Sequence, residues 1–447
     1  MTISNINFFI DNFTSYDKKI AIIWRDESFS YSYILERINY WIHKLEKIPK
    51  GSIVGLESDF TPETISILFS LIEKQVIIVP LDINHSSKNI KKIGIAQLDF
   101  LIKINNEVEI ELLDFHQYHP KNNLYSEIKK SSGLVLFTSG SSGEPKGALH
   151  NFDKLLLKFK VRRKALTTIN FLLFDHWGGL NTLFYILSNG GTVVTLDNRN
   201  PSYVCELIEK HKVELLPTSP TFLNMLFLSR AYKKHSLQSL KVISYGSEPM
   251  PENLLKIISN LFPNIKLHQT YGLIELGVMN SKSEDNSSLW VKIGGEGFET
   301  RVINGMLEIK SDSVMLGYLN SKSPFTKDGW FITGDAVEVN GEYFKILGRK
   351  SELINVGGEK VFPQEIENMI LSISQVLDVK VYGEKNPFTG NIVCAEIFVK
   401  EPKNFEFVKR EIKMKCRKNL ESYKVPVKIS LSDKPFYSSR FKKNRIN

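Results

Sequence analysis

The 447-residue chain carries a formal net charge of +9, with 42% apolar and 24% charged residues. That length asks for at least two domains with ample core, and the composition excludes disordered and fibrous classes. No apolar run approaches the roughly 18 residues of a membrane span. Cys205, Cys394 and Cys416 are too few and too scattered for a disulfide framework or a metal knuckle, and they suit a reducing compartment. The first residues lack the basic and apolar regions of a secretory signal, so a cytoplasmic location is expected. Much of the positive excess lies near the C-terminus, in Lys409-Arg410, Arg417-Lys418 and Lys442-Lys443. With no aromatic-interleaved basic groove, it points to a solvated face, an anionic membrane surface or an acidic partner, not to nucleic acid.

In chain order, residues 31–45 have apolar side chains at helical spacing. Residues 52–56 read as a strand, 62–72 as an amphipathic helix opened by Thr61 and Pro62, and 76–82 as a buried strand. The apolar run 133–137 is another buried strand. Strands are expected again at 191–196, 213–217 and 240–245, with helices at 201–211 and 220–229 between them. Strands separated by helices imply βαβ units and a largely parallel sheet. Around 289–347 the pattern changes to short strands with glycine turns. From about Lys350 a small α+β unit begins, with strands at 375–382 and 392–399. The expected fold is α/β, with a large N-terminal domain (1–349) of βαβ layers and a small β-rich unit. A mobile α+β domain (350–447) follows it.

Directly after the strand 133–137, Thr138-Ser-Gly-Ser-Ser-Gly-Glu-Pro-Lys-Gly147 holds three glycines, four hydroxyls and one lysine. Glycines let the backbone approach a ligand, successive N–H groups form an anion cradle, and Lys146 adds positive charge. A flexible surface linker is the alternative. Gly147 follows the lysine where the GxxxxGK[ST] loop requires Ser or Thr, so this is not that motif.

The stretch closely resembles the phosphate loop of the acyl-adenylate-forming (AMP-binding) superfamily of acyl-CoA synthetases, peptide-synthetase adenylation domains and luciferases. Further stretches match that family in its order: residues 174–181, 245–250, 271–275, Thr333-Gly-Asp335, Gly348-Arg349, 357–367 and the terminal segment 423–445. The resemblance implies an AMP-forming ligase that uses ATP, Mg²⁺ and coenzyme A on a small carboxylic acid. A phosphopantetheinyl carrier protein is the alternative acceptor, which the basic C-terminal domain would suit if the carrier is acidic. A non-catalytic nucleotide-binding member is a further reading.

The same resemblance assigns Thr138, Ser139, Gly140, Ser141, Ser142, Gly143 and Lys146 to the phosphates. Gly246, Ser247, Glu248, Tyr271 and Gly272 go to the adenine, Asp335 to the ribose, and Arg349 to phosphate or ribose oxygens. Glu275 and Thr138 would hold Mg²⁺, because a carboxylate beside phosphates needs a cation between them. His176, Trp177 and Gly178 would border the acid. Lys350-Ser351 would be a hinge, bringing Gly357 and Gly358 to the pantetheine arm. Lys442 would stabilise the crowded anionic charge of adenylation, with Lys443 as its alternative. Two departures stand out: Ile274 replaces a hydroxyl residue, and Phe441 stands where the family has glycine. An aspartate near Asp175 holds the α-amino group in amino-acid-activating members, which keeps an amino acid among the candidate substrates.

Overall fold

Three helices open as their sequences dictate. Thr61, Asn200 and Ser219 each precede a proline, whose fixed φ and missing N–H suit a first helical turn. Each side-chain oxygen accepts from an N–H three residues on, that of Thr64, Tyr203 and Phe222 respectively. The helices run Pro62–Glu73, Pro201–His211 and Pro220–Ser229. The computed structural model describes residues 6–105, 107–115, 122–128, 131–139, 144–295, 297–437, 441 and 443.

Among the described residues two seven-stranded sheets form the body of the N-terminal domain. One orders its strands as Lys266–Gln269, Val242–Tyr245, Leu215–Thr218, Thr167–Ile169, Thr192–Val194, Ile20–Trp24 and Glu27–Ser30. It is parallel except for its last pair. The other contains Ile53–Ser58, Ile77–Asp82 and Gly133–Ser139 as parallel neighbours. Gly133–Ser139 then pairs antiparallel with Pro145–Asn151. Helix Pro62–Glu73 is buried from Thr64 through Ile72. One apolar cluster joins it to Ile22 of the first sheet and to Leu56, Ile78 and Leu134 of the second, so the helix lies between them.

Six antiparallel strands between Ser281 and Arg349 make the β-rich unit. A turn at Lys350–Glu352 follows. Beyond it, the three strands Val376–Asn386, Gly390–Val399 and Lys428–Leu431 pack with helices Pro363–Leu371 and Phe405–Asn419. Their core, from Ile354 to Ile429, is separate from the others. No described helix is long and apolar enough to cross a membrane.

Candidate active site

The strands on either side of the glycine- and serine-rich stretch, Gly133–Ser139 and Pro145–Asn151, pair antiparallel. Strand Gly133–Ser139 extends past its apolar run, and its register sets Thr138 opposite Lys146 and Phe137 opposite Gly147. Gly140, Ser141, Ser142 and Gly143 lie outside the described residues. Asn320 secures the second strand: its Oδ1 accepts from Gly147 N at 3.2 Å and its Nδ2 donates to Pro145 O at 2.9 Å. The Lys146 ammonium lies 5.4 Å from the centre of the Tyr318 ring. Further along the strand His150 is buried, and burial pushes its imidazole down to about 4.

Tyr318 also donates its hydroxyl to Glu275 Oε1. Burial, then the neighbouring carboxylate, raise the Tyr318 phenol, so it stays a donor. Glu275 is 8% exposed, and among the described residues no hydrogen bond reaches its Oε2. Four residues away, Tyr271 donates its hydroxyl to Asp335 Oδ2 at 2.5 Å, and Arg349 Nε sits 3.1 Å from Asp335 Oδ1. Burial pushes the Asp335 carboxyl up, while Arg349 and Tyr271 hold it down. Asp335 and Arg349 meet because their strands pair antiparallel with these two residues in register. Lys146 and Glu275 thus meet at Tyr318, and the Tyr271–Asp335–Arg349 group lies near enough to feel the Glu275 charge. Tyr318 and Asn320 were not anticipated, and the only signal was Gly317-Tyr318 in a short apolar run. Thr138 is brought there only through its register with Lys146.

The adenine turn is partly as expected. A Cβ on Gly246 would come within 2.4 Å of Thr270 Oγ1 and 2.7 Å of its carbonyl oxygen, which requires glycine. Ser247 follows with φ of +70° and is exposed. Two of the residues assigned to the adenine also serve the fold. At Gly272 the space of a Cβ is taken by Gly277 O at 2.8 Å, so strand pairing also asks for that glycine. The Glu248 carboxylate accepts from Thr221 N at 2.7 Å and from Lys443 N at 2.9 Å.

On the acid side His176 caps helix Trp177–Ser188, its Nδ1 accepting from Gly178 N at 3.1 Å. Trp177 is core: 2% exposed, with its ring against Phe152. Asp175 is buried and paired with Lys92 Nζ at 3.0 Å. Its carboxylate is therefore neutralised within the protein, which removes the ground for an amino-acid substrate.

Lys442 lies outside the described residues. Its alternative, Lys443, is spoken for: Nζ is 3.1 Å from Glu367 Oε2 and 3.7 Å from Asp378 Oδ1. That arrangement excludes it from the hairpin here. Phe441 has φ of +55°. The left-handed conformation costs a non-glycine residue about 1–2 kcal/mol, a cost that glycine would not bear. Gly357 and Gly358 contact their own unit, Gly357 N donating to Thr389 O at 2.7 Å and Gly358 N to Asn355 Oδ1 at 2.9 Å. No described group of three or more metal-binding side chains exists. A cation at Glu275 would take its other oxygens from phosphate and water, which suits Mg²⁺.

Residues 9–319 match the AMP-binding enzyme family, and residues 365–436 match the AMP-binding enzyme C-terminal domain. The chain is 30% identical to indoleacetate–CoA ligase of Aromatoleum aromaticum over 59% of its own length, and spans just over half (56%) of that enzyme. It is 25% identical to 2-succinylbenzoate–CoA ligase of a Geobacillus species, covering 77% of this chain and 71% of that enzyme. Among solved structures, anthranilate CoA ligase AuaEII with anthranoyl-AMP superposes with a TM-score of 0.82 at 18% identity. That alignment covers 98% of this chain and 95% of the other. The two-domain α/β architecture is the one those structures share, and the chain belongs to the AMP-binding enzyme family.

Proposed function

We propose that the chain is an ATP-dependent acid–thiol ligase that forms AMP. A carboxylate oxygen of the acid attacks the α-phosphorus and pyrophosphate leaves. A thiolate then attacks the acyl carbon, and AMP leaves with the acid's oxygen. The observation that carries this reading is the meeting at Tyr318 of a lysine and a buried carboxylate, with one oxygen not bonded among the described residues, next to the Tyr271–Asp335–Arg349 group. A triphosphate needs the cation, its metal needs the carboxylate, and a ribose needs a fixed acceptor such as Asp335. Mg²⁺ would supply charge neutralisation between Glu275 and the phosphates. Burial of Glu275 and Asp335 excludes water and strengthens each interaction.

Lys442 is the residue we assign to adenylation, since Lys443 is held by Glu367 and Asp378. Rotation at Lys350-Ser351 would then exchange it for Gly357-Gly358, a domain movement of the kind that serves two half-reactions in one cleft. Coenzyme A is the acceptor in this reading, as the names of similar ligases suggest. A carrier protein is the second acceptor, favoured by the exposed Arg410, Arg417 and Lys418 on helix Phe405–Asn419.

Pyrophosphate release measured with aromatic, short-chain and long-chain acids tests the reading. Release that requires an acid, and conversion of that acid to its thioester only when coenzyme A is present, is expected. Thioester formation only with a phosphopantetheinyl carrier would select the second acceptor. No acid-dependent release with any of them would favour a nucleotide-binding protein without ligase activity.

A further inference from the structure

Phe441 and Lys443 are fastened to both domains at once. Phe441 O accepts from Ser219 Oγ at 2.6 Å, and the Phe441 ring lies 5.2 Å from Phe171 and 6.4 Å from Phe222, all three residues being in or beside the first sheet's layer. Two residues on, the Lys443 N–H donates to Glu248, which in turn accepts from Thr221 at the start of helix Pro220–Ser229. These contacts belong to the N-terminal domain. The Lys443 side chain points the other way, to Glu367 and Asp378 of the C-terminal domain, and Asp378 Oδ2 also accepts from Phe436 N at 2.8 Å. Glu367 is 1% exposed. A cavity of about 310 Å³ lies beside this junction, between Met225 and Leu254 on one side and Ile373 and Phe436 on the other.

We infer that Phe441 and Lys443 form a clasp that holds the two domains in the present arrangement, and that the clasp sets how the enzyme divides its time between its two half-reactions. The inference rests on the domain movement proposed above. A glycine at 441 would have no ring to seat on Phe171 and Phe222. A bulky residue at positive φ persists only where its surroundings over-determine it, and the aromatic seat and the Ser219 hydrogen bond do so here. Opening the domains separates the ring from its seat and lets φ relax. The aromatic contact therefore favours closure and the strained backbone favours release, which makes the clasp reversible rather than permanent. Phe441 is a positioning residue in this scheme, since it acts on the neighbouring segment and not on the reacting atoms.

Interdomain crosslinking tests this without any substrate. Asn253 Nδ2 donates to Leu371 O at 2.9 Å across the interface, so Asn253→Cys with Ser372→Cys places two thiols there for a short bismaleimide. The native cysteines are buried and do not compete. With Phe441→Gly added, crosslinking in the full-length protein is expected to slow about threefold or more, the scale of one aromatic contact, and Glu248→Gln to slow it in the same direction. The C-terminal core from Ile354 to Ile429 is untouched, so the unfolding midpoint of that domain should hold. Where an acid substrate is in hand, Phe441→Gly should slow adenylation while leaving thioester formation from preformed acyl-adenylate unchanged or faster. Equal crosslinking rates in the parent and both variants would overturn the clasp. Because the crosslink needs neither acid nor ATP, absence of ligase activity would leave this test decisive.

Discussion

Tyr318 donates its hydroxyl to Glu275 while its ring lies 5.4 Å from the Lys146 ammonium. One side chain therefore joins the positive hairpin to the buried carboxylate that would hold a metal. Tyr318→Phe keeps the ring and removes the donor. A hydrogen bond to a charged group contributes about 1.5–3 kcal/mol. The variant should lose about tenfold to a hundredfold in kcat/KM for ATP, with a changed Mg²⁺ dependence and little change in unfolding temperature. Unaltered Mg²⁺ titration curves would separate Tyr318 from the metal's carboxylate.

Asp335 is the acceptor that Tyr271 and Arg349 hold in place. Asp335→Asn removes the charge that those donors and a ribose would share. Titration calorimetry with ATP should give weaker binding by about 1–3 kcal/mol, whatever acid the enzyme uses. An unchanged Kd would remove Asp335 from the nucleotide site.

The residues that met expectation were those whose signals are local. Proline after a capping side chain placed the helices Pro201–His211 and Pro220–Ser229 to the residue. The strand continuing through Ser139 was hidden, because glycine and serine carry no strand signal and only pairing with Pro145–Asn151 supplies one. Glu248 sat in a recognisable turn, yet its partners Thr221 and Lys443 lie far away in sequence. Lys443 could not be separated from Lys442 by sequence, since the distinction rests on Glu367 and Asp378. The substitution at Phe441 was visible, but its positive φ and aromatic seat were not.

His150 gives a pH signature. Its folded pKa, about 4, lies below the ordinary imidazole value of 6.5 because burial disfavours the cation. The unfolded chain therefore takes up the proton first. Stability from this residue is complete above pH 6.5 and is lost as pH falls towards 4, by about 3 kcal/mol in total. Denaturant unfolding at a series of pH values should show that slope, and His150→Leu should flatten it. An equal slope in both proteins would assign the acid sensitivity elsewhere.

The Lys92–Asp175 pair is buried on both sides, with side chains 10% and 3% exposed. Removing one partner strands a charge, so Lys92→Met should destabilise by about 3–5 kcal/mol. Lys92→Met with Asp175→Leu should recover most of that loss. If the single variant unfolds at the parent's denaturant concentration, Asp175 is not committed to Lys92 and the amino-acid reading regains its ground.

The central claim is that the acid attacks the α-phosphorus of ATP. It is tested most directly with the most active acid of the panel, labelled with ¹⁸O at both carboxylate oxygens. After one turnover with coenzyme A, mass spectrometry should find one labelled oxygen in AMP and the other in the thioester. Label appearing in inorganic phosphate, with ADP as the nucleotide product, would contradict the account.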